Sequence, residues 1–272
     1  RGTQHATVAA CVMAVASGDA SSAPPRYGKQ GDKGTILVFL PGVPDIRKVQ
    51  NELQRSSGAS SLHVVQLHGS LSPREQNAVF DHAPGGKRKV VLATNIAETS
   101  ITIDDCTVVI DTCRVKEMQY DANTHMARLA EVWTSQASSN QRRGRAGRVM
   151  PGRCLRMLPE AGFKQLTPFT KPEIQRVPLH NLCLTVMALE IGDVRQVLGS
   201  VMDPPKTASV DTALTQLAHI GAILPRRRGG GGAKRKKAQL SFELSPLGSH
   251  LASMPLDVRL AKVCVYGVLL RC

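Results

Sequence analysis

Aromatic side chains are scarce in this sequence, with one Trp, three Tyr and five Phe among 272 residues. Binding of nucleic acid built mainly on base stacking is therefore disfavoured against binding through the phosphate backbone. No stretch approaches the run of about 18 apolar residues that spans a bilayer, so no membrane partner is expected. The seven cysteines form no CxxC pair and no Cys/His grouping at zinc spacing, which argues against a zinc module. The closest two are Cys106 and Cys113. An odd, scattered set reads as reduced, mostly core-filling thiols of the cytosol or the nucleus. No signal-peptide pattern is present, and the first residue is Arg, so the sequence reads as part of a longer chain. Acidic residues are also few, 21 against 35 Lys and Arg, giving a formal net charge of +14. Such an excess calls for an acidic partner, and nucleic acid is the commonest one.

What is present points to an α/β chain. The length exceeds the usual domain of about 100–150 residues, so two folded units and part of a third are expected. Residues 1–33 show little periodic pattern, and "SGDASSAPPRYGKQGDKG" reads as a flexible linker. Strands are predicted at "TILVFL" (35–40), "HVVQLHG" (63–69), "KVVLAT" (89–94) and "CTVVID" (106–111). Their near-continuous apolar runs suit a parallel sheet buried on both faces. Between them, Ile46, Val49 and Leu53 recur at helical spacing. "SPREQNAVF" opens on a capping box, with Ser72 as N-cap, Pro73 at the first helical position and Glu75 at the third. Two extended segments flanking a turn at Ala122–Thr124 predict a hairpin over 114–133, and "GRCLRML" (152–158) closes the sheet. From about Pro178 the pattern becomes amphipathic helices followed by a short strand, which suits a small winged-helix domain over 178–246. Its insert at 225–237 holds seven basic residues and no acid. It reads as a solvated loop, a nuclear-targeting signal or a nonspecific RNA contact. Residues 247–272 read as the start of a further helical domain.

One short run concentrates charge: "NQRRGRAGR", residues 140–148, has four arginines. If it is helical, Gln141, Arg145 and Arg148 stand at i, i+4 and i+7 on one face, with Arg142 and Arg143 elsewhere. Gly144 and Gly147 are poor helix formers, kept where another backbone or a ligand must come close. The residues alone leave two readings open, a solvated basic face and an element facing phosphate.

The order and spacing of "ILVFLPG", "LHGSLSPREQ", "ATNIAETSITIDD" and "NQRRGRAGR" resemble the second RecA-like domain of DEAH-box RNA helicases, and "PEIQRVPLHNLCL", "DPP" and "LSPLGSHLASMPLDVRLAK" are similar to that family's winged helix and the start of its ratchet domain. The resemblance covers residues 34–272 and places a RecA-like domain at 34–177. It implies ATP as cofactor, single-stranded RNA as partner and 3′-to-5′ movement. It also implies a preceding first RecA-like domain carrying the phosphate loop, the acidic tetrad and the Mg²⁺ ligands, none of which occurs here, so this chain alone is expected to be inactive. "QRRGRAGR" resembles motif VI, which implies γ-phosphate contacts for Arg145 and Arg148, Arg148 as arginine finger, and Gln141 positioning the attacking water. Carboxylate pairing is expected for Arg142 and Arg143. "TNIAETSITID" resembles motif V. Thr94 and Asn95 would then bond RNA phosphate, although the residues alone favour an ordinary Asn-capped turn. Asp104 matches the ribose contact, and Glu98, Thr99 and Ser100 match the coupling between the two sites. Phe80 matches an adenine-packing aromatic, with core packing as its other reading. Gly42 and Ser70 lie on loops that would track RNA. The segment 114–133 resembles the family's protruding hairpin, but Cys113 stands where Gly is usual, a cost if φ is positive there. A noncatalytic RNA-binding scaffold of the same fold is the alternative. The residues do not exclude DNA, and they do not identify the RNA target or any activator.

Overall fold

The computed structural model describes residues 4–18, 34–99, 101–121, 126–148, 151–225 and 241–272. These fall into two compact units, Arg1–Glu117 with Leu129–Thr170, and Met118–Arg128 with Lys171–Cys272. The division thus falls at 170/171, where the sequence pattern suggests 177/178.

The first unit is built on five strands: β1 (Thr35–Phe39), β2 (Leu62–Leu67), β3 (Arg88–Ala93), β4 (Cys106–Asp111) and β7 (Arg153–Arg156). They pair in parallel in the order β2-β3-β1-β4-β7. Every residue of β1, β3 and β4 is buried, as a sheet covered on both faces requires. Alternation sends Ile36, Val38, Val90, Leu92, Val108 and Ile110 to one face, under α1 (His5–Ser17) and α2 (Val43–Arg55). Leu37, Phe39, Val91 and Val109 pack on the other face with Val79, Ala97 and Ala146.

α1 corrects the reading of residues 1–33 as a linker. Val8, Val12 and Val15 stand at i, i+4 and i+7, are at most 1% exposed, and seal one face of the sheet with α2. Gly18, in the left-handed region at φ 79°, ends the helix. The period is hard to see in the sequence because Ala, Cys and Met fill the intervening positions, so the two faces differ little in polarity. Residues 19–33 lie outside the described set.

The capping box is formed. The Ser72 side chain accepts from the Glu75 N–H, and Glu75 Oε2 accepts from the Ser72 N–H at 2.8 Å, opening α3 (Pro73–Asn77). α4 (Ile96–Thr99) follows β3. β5 (Arg114–Asp121) and β6 (Met126–Trp133) pair as the predicted two-stranded ribbon, whose turn lies outside the described residues. α5 (Gln136–Arg143) comes next, with Ser135 as its N-cap, and α6 (Glu160–Lys164) follows β7.

The second unit holds α7 (His180–Ala188), α8 (Val194–Gly199), α9 (Thr207–Ile220), β8 (Ile223–Pro225), β9 (Phe242–Leu244), α10 (Pro246–Ser253) and α11 (Val258–Leu270). Leu184, Leu198, Leu214, Leu217, Leu251 and Ala261 form its core. Asp193, Ser245 and Asp257 cap α8, α10 and α11. β8 and β9 are antiparallel. Residues 226–237 of the basic insert between them lie outside the described set.

Candidate functional site

Parallel strands leave the sheet at one edge, and four candidate residues follow three neighbouring strands there. Gly42 comes after β1, Ser70 after β2, and Thr94 and Asn95 after β3. The Thr94 N–H donates to the Leu67 carbonyl at 3.1 Å, and the Leu40 N–H to the Ala93 carbonyl at 2.8 Å, which knits the three exits together. Thr94 is half-buried, while Asn95 and Ser70 are exposed. At Gly42 a Cβ would stand 3.0 Å from Lys116 Nζ. That ammonium is held by Asp45 Oδ2 at 3.0 Å, and His5 Nε2 meets Asp45 Oδ1 at 2.8 Å. Burial works against the Asp45 charge, but the His5 and Lys116 hydrogen bonds outweigh it and hold the carboxyl below its usual range.

Phe80 and Asp104 gather at the opposite, amino edge. Phe80 ends a 3-10 turn and is 53% exposed, so core packing is not its role within this chain. Lys89, at the start of β3, donates to the carbonyls on either side of Phe80, Val79 at 3.1 Å and Asp81 at 3.2 Å. It also pairs with Asp105 at 3.3 Å, next to exposed Asp104. The sequence reading missed Lys89. Its signal was a lysine inside a strand buried on both faces, where a charge needs partners.

The arginine run does not continue one helix. α5 stops at Arg143, and residues 144–147 tighten into a 3-10 turn. The i, i+4, i+7 register therefore breaks, and the expectation of one shared helical face is corrected. Gln141 and Arg148 are exposed, while Arg145 turns inward and is 7% exposed. Arg145 Nη1 donates to the Ile101 carbonyl at 2.9 Å, and Nη2 to the Glu98 carbonyl. Burial, and then repulsion from Arg148, lowers its pKa. Arg148 Nη1 donates to the Thr102 hydroxyl, which places the guanidinium on the loop that leads to Asp104. Gly152 lets the turn dock, since a Cβ there would lie 1.7 Å from the Ala146 carbonyl. At Gly144 and Gly147, by contrast, a Cβ would meet nothing within 4 Å, so packing among the described residues does not require either glycine.

Arg142 is 1% exposed and pairs with two carboxylates, Glu98 Oε2 at 3.0 Å and Asp111 Oδ1 at 2.9 Å. Burial disfavours its charge, but Asp111 and then Glu98 outweigh that and raise its pKa. The expected carboxylate pairing is thus formed by Arg142. It is corrected for Arg143, which is exposed and without such a partner among the described residues. Glu98, on α4, also accepts from the Ser138 hydroxyl. Thr99 is exposed, and Ser100 lies outside the described residues. Asp111 was missed by the sequence reading, although an acid ending an apolar strand upstream of a basic run was its signal. Cys113 does take a positive φ, 55°. Its N–H donates to Asp111 Oδ1 at 2.8 Å, and burial, then Asp111, pushes its thiol up to about 12. All seven cysteines are free; Cys106, Cys113 and Cys183 are buried, and Cys264 and Cys272 are exposed.

A parallel α/β lobe of this kind, with an arginine turn packed on its sheet, is the RecA-like fold. Residues 23–150 match the helicase conserved C-terminal domain. The relatives that the chain matches are DEAH/DExH-box helicases. It is 43% identical over 242 residues to the putative DEAH-box ATP-dependent helicase UM11114 of Mycosarcoma maydis, covering 88% of this chain and 15% of that protein. It is 41% identical over 248 residues to the putative ATP-dependent RNA helicase DHX57 of Homo sapiens, covering 88% and 17%. The solved structure of the E. coli DExH-box NTPase HrpB superposes with a TM-score of 0.74 at 30% identity, over 97% of this chain and 29% of HrpB. The chain thus spans less than a third of each of these proteins.

Proposed function

We propose that this chain is the C-terminal half of an ATP-dependent RNA helicase core, acting in RNA unwinding or ribonucleoprotein remodelling with 3′-to-5′ polarity. The observation that carries the reading is the join at α4. The loop that opens with Thr94 and Asn95 continues into Glu98, whose carboxylate is held by Arg142 and whose carbonyl is held by Arg145. One short helix therefore connects the carboxyl edge of the sheet to the arginine turn.

In this reading Arg148, exposed and lightly tethered, is the arginine finger, and Arg145 supports the γ-phosphate. Gln141 orients the attacking water, Asp104 bonds the ribose, and Phe80 packs on adenine. Neutralising charge on the transferring phosphoryl group is where such arginines contribute most of their rate effect. The residues present suit a triphosphate: a surface guanidinium on the loop that leads to Asp104, and two glycines that packing among the described residues does not explain. Among the described residues no group of three His, Cys, Asp or Glu side chains is placed to hold a metal. Mg²⁺, which would neutralise phosphate charge, is assigned to the first RecA-like domain. Thr94, Asn95, Gly42 and Ser70 meet the RNA backbone, and Glu98, Thr99 and Ser100 couple the two sites. The net charge of +14 favours the polyanion.

The test is RNA-stimulated ATP hydrolysis by the full-length protein, wild type against Arg148→Ala. Loss of about 10³-fold or more in rate with RNA binding retained supports the motor. A wild type without RNA-stimulated hydrolysis, or a variant that matches it, leaves an RNA-binding scaffold as the better account. The 272-residue chain alone is expected to bind RNA without hydrolysing ATP.

A further inference from the structure

Arg142 does more than hold Glu98. Besides the two carboxylates, its Nη1 donates to the carbonyl of Arg114, the first residue of β5, at 3.2 Å. A single guanidinium thus reaches α4, the end of β4 and the root of the β5–β6 ribbon. The other members of the cluster lead to the same place. Asp111 accepts from the Cys113 N–H and from the Ser139 hydroxyl, each at 2.8 Å. Ser139 accepts in turn from Arg156 Nε at 2.9 Å. The Thr134 N–H closes the ribbon's base on the Cys113 carbonyl at 2.9 Å. Cys113 sits at φ 55° between the last bond of β4 and the first of β5, so the ribbon leaves the sheet through a backbone that the Asp111 carboxylate holds.

We propose that Arg142 is a positioning residue that ties the arginine turn and α4 to the root of the β5–β6 ribbon, so that movement at the phosphate-facing turn is delivered to the ribbon. This rests on the helicase reading above. A buried, fully bonded ion cluster does not stretch continuously, because each bond is either made or lost. A shift of α5 must therefore carry the Arg114 carbonyl and the Cys113 turn with it or break the cluster. Neither Arg142 nor Asp111 faces the surface, at 1% and 0% exposure, so neither meets ligand directly.

The experiment uses full-length protein and two readouts, RNA-stimulated ATP hydrolysis and base pairs unwound per ATP. Arg142→Lys keeps the charge but loses the fork that serves three partners at once. Expected is hydrolysis within about threefold of wild type and unwinding per ATP down about tenfold, inside the range of roughly 2–30-fold by which residues along a coupling route act. Replacing residues 119–128 by a two-residue turn should abolish that difference, since Arg142 would then have no ribbon to move. If Arg142→Lys does not fold, Ser139→Ala is measured in the same way, with a fall in unwinding per ATP of about threefold expected. Unwinding per ATP unchanged in whichever variant folds overturns the proposal. So does an equal fall in both readouts, or an Arg142→Lys defect that persists in the shortened ribbon. Failure of wild type to hydrolyse ATP with RNA would instead remove the helicase reading and this inference together.

Discussion

Replacing Arg142 by Met keeps most of the stem's bulk and removes the guanidinium, leaving Glu98 and Asp111 facing an uncharged side chain. Asp111, at 0% exposure, retains two neutral donors, the Cys113 N–H and the Ser139 hydroxyl. Glu98 retains the Ser138 hydroxyl. Removing one partner of a buried ion pair costs about 3–5 kcal/mol, mostly from the stranded charge. The surviving donors put the expected loss near the lower end, about 3 kcal/mol. The guanidinium also lies 5.0 Å from the Phe39 ring, a contact that the Met thioether partly replaces. Against a total stability of about 5–15 kcal/mol, a loss of this size is easily measured. Urea unfolding of the 272-residue chain at pH 7.5, followed by the fluorescence of the single tryptophan, makes the comparison. That residue, Trp133, stands at the ribbon root with the Arg114 guanidinium 3.3 Å above its ring, and it reports on the unit concerned. A loss below about 1 kcal/mol at pH 7.5 refutes the reasoning. Adding Asp111→Asn and Glu98→Gln should recover more than half of the loss, because no charge is then stranded.

Val12 on α1 is wholly buried. Val12→Ala deletes two methyl groups worth about 0.8 kcal/mol each in transfer, plus the cavity they leave, so a loss of about 2 kcal/mol is expected in urea unfolding. A loss below about 0.5 kcal/mol, the usual scatter of surface changes, would mean that α1 does not seal the sheet. For Asp45, whose pKa is lowered, the stabilisation is present above the unfolded carboxyl value near 4 and is lost as pH falls through the folded value. Asp45→Asn should therefore be less stable than wild type at pH 7, by a margin that is smaller at pH 3. A difference that is the same at both pH values would assign the effect to shape rather than charge.

Much of the fold was legible in the sequence because its signals are local. The apolar runs of β1, β3 and β4 leave a buried parallel sheet as the natural solution, and Ser72, Pro73 and Glu75 announce a helix start through bonds made within four residues. α1 was not legible, because its three valines are set among Ala, Cys and Met, and hydrophobic contrast around the helix is weak even though the spacing is present. The arginine run was half legible. Its composition marked a site, but an ideal helix was the wrong ruler for it. The backbone tightens into a 3-10 turn over residues 144–147, on which Gly152 lies close to the Ala146 carbonyl, and that turn sends Arg145 inward onto carbonyl oxygens.

The partners of Arg142 were illegible for a different reason. Glu98 and Asp111 are 44 and 31 residues away in sequence, so no periodicity relates them, and only the sheet order brings them together. A physical rule still narrows the search. A strand buried on both faces cannot carry a lone charge, so Asp111 on β4 and Lys89 on β3 each require a partner on the strength of the strand pattern alone. Lys89 finds it at the amino edge, bracketing Phe80 beside Asp104, and Asp111 finds it at the carboxyl edge, between the ribbon root and α5. The buried charges of this sheet therefore gather at its two edges, and α4, holding Arg142 by its side chain and Arg145 by its backbone, is the element to which the arginine turn is fastened.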